Sequence, residues 1–362
     1  MNASKNKILI ATAKGLVVYE INSGRWTYNG THFLGQPASM VFHDDRNGAW
    51  WVSLAHRHWG QKMHRSMDEG RTWTEVATPQ YPEGSEISPG KPATLKYIWS
   101  ITGGGMKHSE KIWVGTEPGG LFLSEDNGES FNLIQALWEH PTRPEFWFGG
   151  GRDNAGIHSI VVDPADDDHV YIGVSCAGVF ETSDAGKSWE MRNDGLRADY
   201  LPNPLSKAGH DPHAIKICQS EPDIIWQQNH CGIFRSLDAG KTWLDVTDKN
   251  GLAKYGFALA IDDRDSNRAW VIPAVSDQMR VAVDQSLCIC RTDDGGKTWR
   301  EYRRGLPQGN CFDIVLRHAF NKCDDTLVFG TNTGNLFISN DAGESWENIN
   351  NYLPTVFALC FA

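Results

Sequence analysis

The sequence predicts an all-β fold, a seven-bladed β-propeller of four-stranded antiparallel blades, closed by the C-terminal strand completing the first blade. Three observations carry this prediction. One eight-residue phrase is written six times: SMDEGRTW (66–73), SEDNGESF (124–131), TSDAGKSW (182–189), SLDAGKTW (236–243), TDDGGKTW (292–299) and SNDAGESW (339–346). A degenerate seventh copy, EINSGRW, ends at Trp26, so the closing aromatic falls every 47 to 58 residues. Strand-rich units with a period of roughly 40–60 residues are the mark of propeller blades. Secondly, the same four apolar runs recur in the same order within each unit. Thirdly, the two chain ends are complementary. The whole chain, 1–362, therefore reads as one closed ring.

The elements follow in order. The first residues, KILIATAKGLVVYEINSGRW, hold second, third and outer strands but no inner one. In blade four, IHSIVVD is the inner strand, HVYIGVS the second, GVFETS the third and SWEMRN the outer. Blade five repeats this as DPHAIKI, DIIWQQN, GIFRS and TWLDV, and blade seven as CFDIVLR, TLVFGTN, NLFIS and SWENI. The last residues, LPTVFALCFA, mimic the blade-seven segment LPQGNCFDIVL, yet nothing follows them. Pairing them with the first blade covers two otherwise open strand edges. The repeated phrase is scaffold: its leading hydroxyl and its Asp accept nearby backbone N–H groups, and its Gly permits positive φ.

Composition narrows the function. The net charge is −11, which argues against nucleic acid and against an anionic membrane surface as partners. No run of about 18 apolar residues is present, and the N-terminus lacks a hydrophobic signal core, so no membrane span and a cytoplasmic location are expected. The eight cysteines sit at irregular positions and read as reduced, mostly buried thiols. The GGG runs at 103–105 and 149–151 lack the strand–loop–helix context of a phosphate cradle, and no organic cofactor is expected.

The repeated phrase resembles the BNR or Asp-box repeat, over essentially the whole chain. The phrases FGGGRDNAGIHSI and QQNHCGIFRS look like a bacterial group of WD40/YVTN/BNR-like proteins, often labelled glycosyl hydrolase or exo-sialidase. The resemblance implies the propeller and leaves the chemistry open, because sialidases, sortilin ectodomains, xyloglucan hydrolases and a photosystem assembly factor all carry the repeat. Sialidases resemble one another in an F-R-I-P segment and three carboxylate-gripping arginines. No R-I-P occurs here, and Arg25 and Arg46 lie in turn contexts, so sialidase activity is not expected.

What breaks the repeat marks the site. In each blade the turns after strands one and three lie on one face, with the Asp boxes. The other, top face receives the irregular material: links 78–92, 135–156 and 192–211, and the inserts AHRHWGQKMH and SDQMRVAVDQ. Variation on one face of a rigid scaffold is how a site is built. His158 and His213 start the inner strands of blades four and five, where blades six, seven and one have Phe257, Phe312 and Phe357. His230 ends the second strand of blade five. These three histidines are expected to cluster at the top mouth of the central channel as catalytic and metal-ligating groups, with Asp211 beside them. Arg152, Glu117, His56 and the three phenylalanines are the expected substrate contacts.

A three-histidine cluster suits one divalent transition metal, such as zinc or manganese, with an open position for water or substrate. Without a metal, one histidine serves as base and another as acid. The expected function is thus a hydrolase or lyase of a small polar molecule, sugar-like or aromatic. The alternative is a non-catalytic propeller that binds a peptide or protein on its top face. A deep pocket with converging histidines favours the enzyme; a flat top face with histidines apart favours the binding module.

Overall fold

Seven four-stranded antiparallel sheets make the seven blades of a computed structural model, which describes residues 5–56 and 58–362. The inner strands of blades two to seven are Ala38–Asp44, Tyr97–Gly103, Ile157–Val162, Pro212–Ile217, Gly256–Ile261 and Phe320–Cys323. Blade one takes its inner strand, Val356–Phe361, from the other end of the chain; it pairs antiparallel with Lys7–Thr12, Ile8 opposite Phe361 and Ile10 opposite Leu359. The only described helices are short, Gln135–Trp138 and Arg143–Phe146 in one top link and the 3-10 turn Val283–Gln285 in an insert. None is long and apolar enough to cross a membrane.

All six boxes fold as expected. The hydroxyl of the first residue donates to the Asp at 2.7–2.9 Å and accepts the Gly N–H at 2.7–2.9 Å. The boxes of blades five and seven also clamp the preceding blade. The second residue of the second strand is a fully buried aromatic in five blades: Trp50, Trp113, Tyr171, Trp226 and Trp270. Tyr171 donates its hydroxyl to Ala239 O at 2.9 Å, and Trp270 its indole N–H to Ala342 O at 2.9 Å, each acceptor lying in the next blade's box. Gly343, at φ +85°, lies so close that a Cβ would sit 3.1 Å from Trp270 Nε1. The box glycine is thus required twice over, by its conformation and by this approach.

Two predictions arise here. Asp238→Ala removes the acceptor of the Ser236 hydroxyl and of the Thr242 N–H and hydroxyl. A loss of about 1 kcal/mol is expected for these partly solvated donors, with ligand binding at the top face unchanged; chemical denaturation and a binding titration check both. The second concerns acid. Hydrogen bonds from the Thr72 backbone and side chain hold the Asp68 carboxyl down at about 2, and those from Ser188 do the same for Asp184. Depressed carboxyls stabilise the fold above their unfolded value and lose that contribution as pH falls through the folded one. Melting temperature should therefore be flat above about pH 4 and decline from there towards pH 2.

The inner strands share a device that shapes the channel. Each ladder slips by a bulge near its top end: at Ser39 in blade two, Trp99 in three, His158 in four, His213 in five, Phe257 and Ala258 in six, and Phe357 in blade one. A bulged residue leaves the ladder and its side chain is re-aimed. These side chains form a ring at one height around the channel.

Blade seven departs from expectation. CFDIVLR is not its inner strand; residues 311–316 run outside any ladder, and the strand begins at Phe320. Ile314 O bonds Asn332 N and Ala319 O bonds Gly330 N, so residues 315–318 form one long insertion between two pairings. This puts Arg317 and His318 into the ring and leaves Phe312 outside it, 55% exposed. In blade two, AHRHWGQKMH is mostly ladder: Ala49–His56 and Gly60–Ser66 pair up to His56 opposite Gly60. His64 therefore lies in a strand, against Phe33, and the Nδ1 of His56 accepts the N–H groups of His58 and Trp59.

Candidate functional site

Blade five builds the site from three backbone features. Asp211 ends the link 192–211, His213 is the bulge of the inner strand, and His230 sits in the turn between Ile225–Asn229 and Gly232–Ser236. The His230 N–H donates to Asp211 O at 2.9 Å, which binds turn to link. Gly232 closes the turn at φ +138°, where a Cβ would meet Thr247 Oγ1 at 2.2 Å.

Asp211 is the hub. Its Oδ1 accepts the Ser175 hydroxyl at 3.0 Å and the Cys176 N–H at 3.1 Å. Its Oδ2 faces His213 Nε2 at 3.3 Å and His230 Nδ1 at 3.5 Å. Asp211 and His213 are buried, and His230 is the member open to solvent, its side chain 23% exposed. Among the described residues these three are the one group whose ligand atoms lie within 4.8 Å of one another. Two of the predicted histidines are thus brought together, with the acid that was expected beside them.

His158 is not part of that group. Its bulge puts the ring edge-on to Trp99, 5.7 Å between centroids, with Nδ1 on the Ser159 hydroxyl at 2.9 Å. It is fully buried and lines the channel. The correction is geometric: blade four lies one step further round the ring, so equal height does not bring its imidazole to blade five. Burial, then the Asp211 charge, push the Cys176 thiol up to about 12.

The electrostatics follow from burial and charge. Burial works against ionisation of Asp211, but His213, His230 and Arg317 outweigh it and hold the carboxyl well below its usual range. Burial lowers His213, and Asp211 beside it works in the opposite direction. Its Nδ1 lies 2.6 Å from the Gly256 carbonyl and must donate there. Its Nε2 faces the Asp211 carboxylate at 3.3 Å.

Aromatic rings wall the cluster. Phe257 stacks on His213 at 4.8 Å, and Tyr255 stands edge-on to His213 at 5.5 Å and to His230 at 5.6 Å. Tyr200 covers His230 from the other link at 5.0 Å. The Tyr255 hydroxyl is buried with no hydrogen-bond partner among the described residues.

Beside the cluster a cavity of about 470 Å³ opens at the top mouth, lined by Tyr97, Trp99, Glu117, Arg152, Arg280, Arg317 and Phe357 among others. Asp211, His213 and His230 do not line this space; Arg280 and Arg317, which do, lie over the Phe257 ring that stacks on His213. Glu117 and Arg152 meet each other at 2.9 Å, Arg152 lying over Tyr97 at 3.7 Å. Glu117 also accepts from the Asn154 backbone and amide, so the pair fixes the loop 149–156 on blade three. The GGG of that loop is needed for close approach: a Cβ at Gly150 would lie 2.4 Å from Cys176 Sγ. Arg280 and Arg317 were not foreseen. The signal for Arg280 was its place in the insert SDQMRVAVDQ; Arg317 was hidden in a run that reads as a strand.

No family model matches the chain. It is 29% identical over 231 residues to the oligoxyloglucan-reducing end-specific xyloglucanase of Emericella nidulans, 56% of this chain and 27% of that protein. Among solved structures, the GH74 enzyme of Niastella koreensis superposes with a TM-score of 0.57 at 14% identity, over 98% of this chain and 66% of that one. YCF48 bound to D1 peptide superposes with a TM-score of 0.55 at 13% identity, over 99% and 89%. Structural likeness at such identities is a likeness of fold. The chain spans about a quarter to a third of the length of the xyloglucanases that it matches.

Proposed function

We propose that this propeller is a hydrolase or lyase acting on a small, sugar-like substrate, with Asp211, His213 and His230 holding one divalent transition metal. One observation carries the reading: a carboxylate oxygen and two imidazole nitrogens lie within 4.8 Å of one another, with the other nitrogen of His213 committed to a carbonyl. The separations of 3.3 and 3.5 Å fit the edge of a tetrahedron with metal–ligand bonds of about 2.0–2.1 Å. Three protein ligands leave a position for water or substrate, and a bound metal there supplies an acidified water or a polarised carbonyl.

The chain's own groups do the rest. His213 is oriented by the Gly256 carbonyl, and Asp211 by Ser175 and Cys176. Burial raises the Tyr255 phenol, which stays protonated and is free to donate to a substrate oxygen. Tyr200 and Phe257 wall the imidazoles and leave His230 open on one side. The similarity to xyloglucanases supports a sugar-like substrate. Glycosidases commonly work with two carboxylates flanking the bond, whereas this cluster offers one carboxylate and two imidazoles. The chemistry we propose is therefore metal-assisted or histidine acid–base, without sialic acid release. The eight free cysteines support the expected cytoplasmic location.

A panel of chromogenic sugar esters, lactones and glycosides, assayed with added zinc or manganese, tests the reading. Turnover of one class by the wild type is expected, with loss of at least about a hundredfold in His230→Ala. Equal turnover by His230→Ala of unchanged melting temperature removes the cluster from the chemistry. A cavity beside converging groups, rather than a flat face, is what favours this reading over peptide binding.

A further inference from the structure

The top mouth carries more positive charge than the structure neutralises. Lys96, Arg152, Arg280 and Arg317 line the cavity, against Glu117 and Asp153. Arg152 is taken by Glu117 at 2.9 Å, and Lys96 stands 4.0 Å from Asp153. Among the described residues Arg280 donates to the Asp277 carbonyl alone, at 3.1 Å. Arg317 has a buried Nε without a hydrogen-bond partner. Among the described residues neither has an ion-pair partner, in a chain whose net charge is −11.

Position makes this more than a surface excess. Arg317 comes from the four-residue insertion of blade seven and Arg280 from the insert of blade six, two departures from the repeat that converge on one ring. Both guanidinium carbons lie 5.4 Å from the Phe257 ring centroid, and that of Arg317 also lies 5.0 Å from Trp99. Aromatic faces favour a cation but leave its N–H donors unfilled. Gly151 gives Arg280 room, since a Cβ there would lie 2.9 Å from Nη2. A half-buried guanidinium such as that of Arg317 is costly without a close anion, and the exposed Arg280 stands beside it on the same aromatic ring.

We infer that Arg317 and Arg280 form a subsite for an oxyanion, a carboxylate or a phosphate borne by the ligand, with Trp99 and Phe357 flanking the remainder of the molecule. Guanidinium groups hold such anions through paired N–H donors. The substrate class thereby narrows from sugar-like to anionic. The inference rests on the proposed use of this mouth for ligand binding, not on the chemistry at Asp211, His213 and His230.

Calorimetric titration with inorganic phosphate, glucuronate and glucose, in chelator so that no metal contributes, is the test. Wild type is expected to bind at least one anion, more weakly as salt rises, and glucose at least about tenfold less well. Arg317→Met and Arg280→Gln should each lose about tenfold in anion affinity, while His230→Ala should keep it. Phosphate alone binding identifies a phosphate site, glucuronate alone a carboxylate site, and both a general oxyanion subsite. Arg280 is exposed, so its variant remains informative should Arg317→Met fold poorly. No anion binding by wild type, or equal affinity in Arg280→Gln, overturns the subsite. Loss of turnover with anion binding intact in His230→Ala leaves both readings standing; intact turnover in that variant overturns the chemistry and not the subsite.

Discussion

Deletion of residues 355–362 should leave the protein aggregated or unfolded. The segment supplies the inner strand of blade one, and its removal strips the ladder from Ile8 to Thr12 together with the Lys7–Ala362 backbone pair. It also withdraws Val356, Leu359 and Phe361, each at most 3% exposed. Burying such side chains contributes about 1.5–3 kcal/mol apiece, and the total stability of a domain is only about 5–15 kcal/mol. Blade seven suffers as well, because Val356 donates to Thr331 O and Leu359 to His318 O. Expression, light scattering and denaturant unfolding measure the outcome. A soluble truncation of equal stability contradicts closure by this strand.

Asp211→Ala should be the most damaging single change at the site. It leaves the buried Ser175 hydroxyl and Cys176 N–H without their acceptor and removes the carboxylate that faces two imidazoles. Orphaning a buried hydrogen-bonding group costs about 1–3 kcal/mol, so a drop in stability of a few kcal/mol is expected, together with loss of function. Asp211→Asn keeps an acceptor oxygen and should fold much better, yet carries no charge to balance a cation. Comparing the two by unfolding and by activity separates structure from chemistry. Function retained in Asp211→Asn would show that the carboxylate charge is not used.

The blades were legible because one self-bonded turn is repeated at blade spacing. The ring closure was legible because an inner strand stood unpartnered at one end and was missing at the other. Blade seven misled because an apolar run has the same composition whether it lies in a ladder or in a wide insertion; Phe312 and Arg317 changed places on that account. His213 and His230 could be found together because a strand and its adjoining turn bring them into contact. His158 shared the register of His213, but height says nothing about azimuth around the axis. Arg317 and Arg280 were out of reach, since their significance lies in the partners they lack, and only coordinates reveal that.

Elemental analysis of untagged wild-type protein beside the His213→Ala, His230→Ala double variant, after incubation of each with zinc or manganese and removal of excess, tests the central claim most directly. About one metal per chain in the wild type is expected, and none in the double variant, with unfolding in chelator similar for the two. Metal-free wild type, or equal metal in both proteins, contradicts a metal centre at Asp211, His213 and His230.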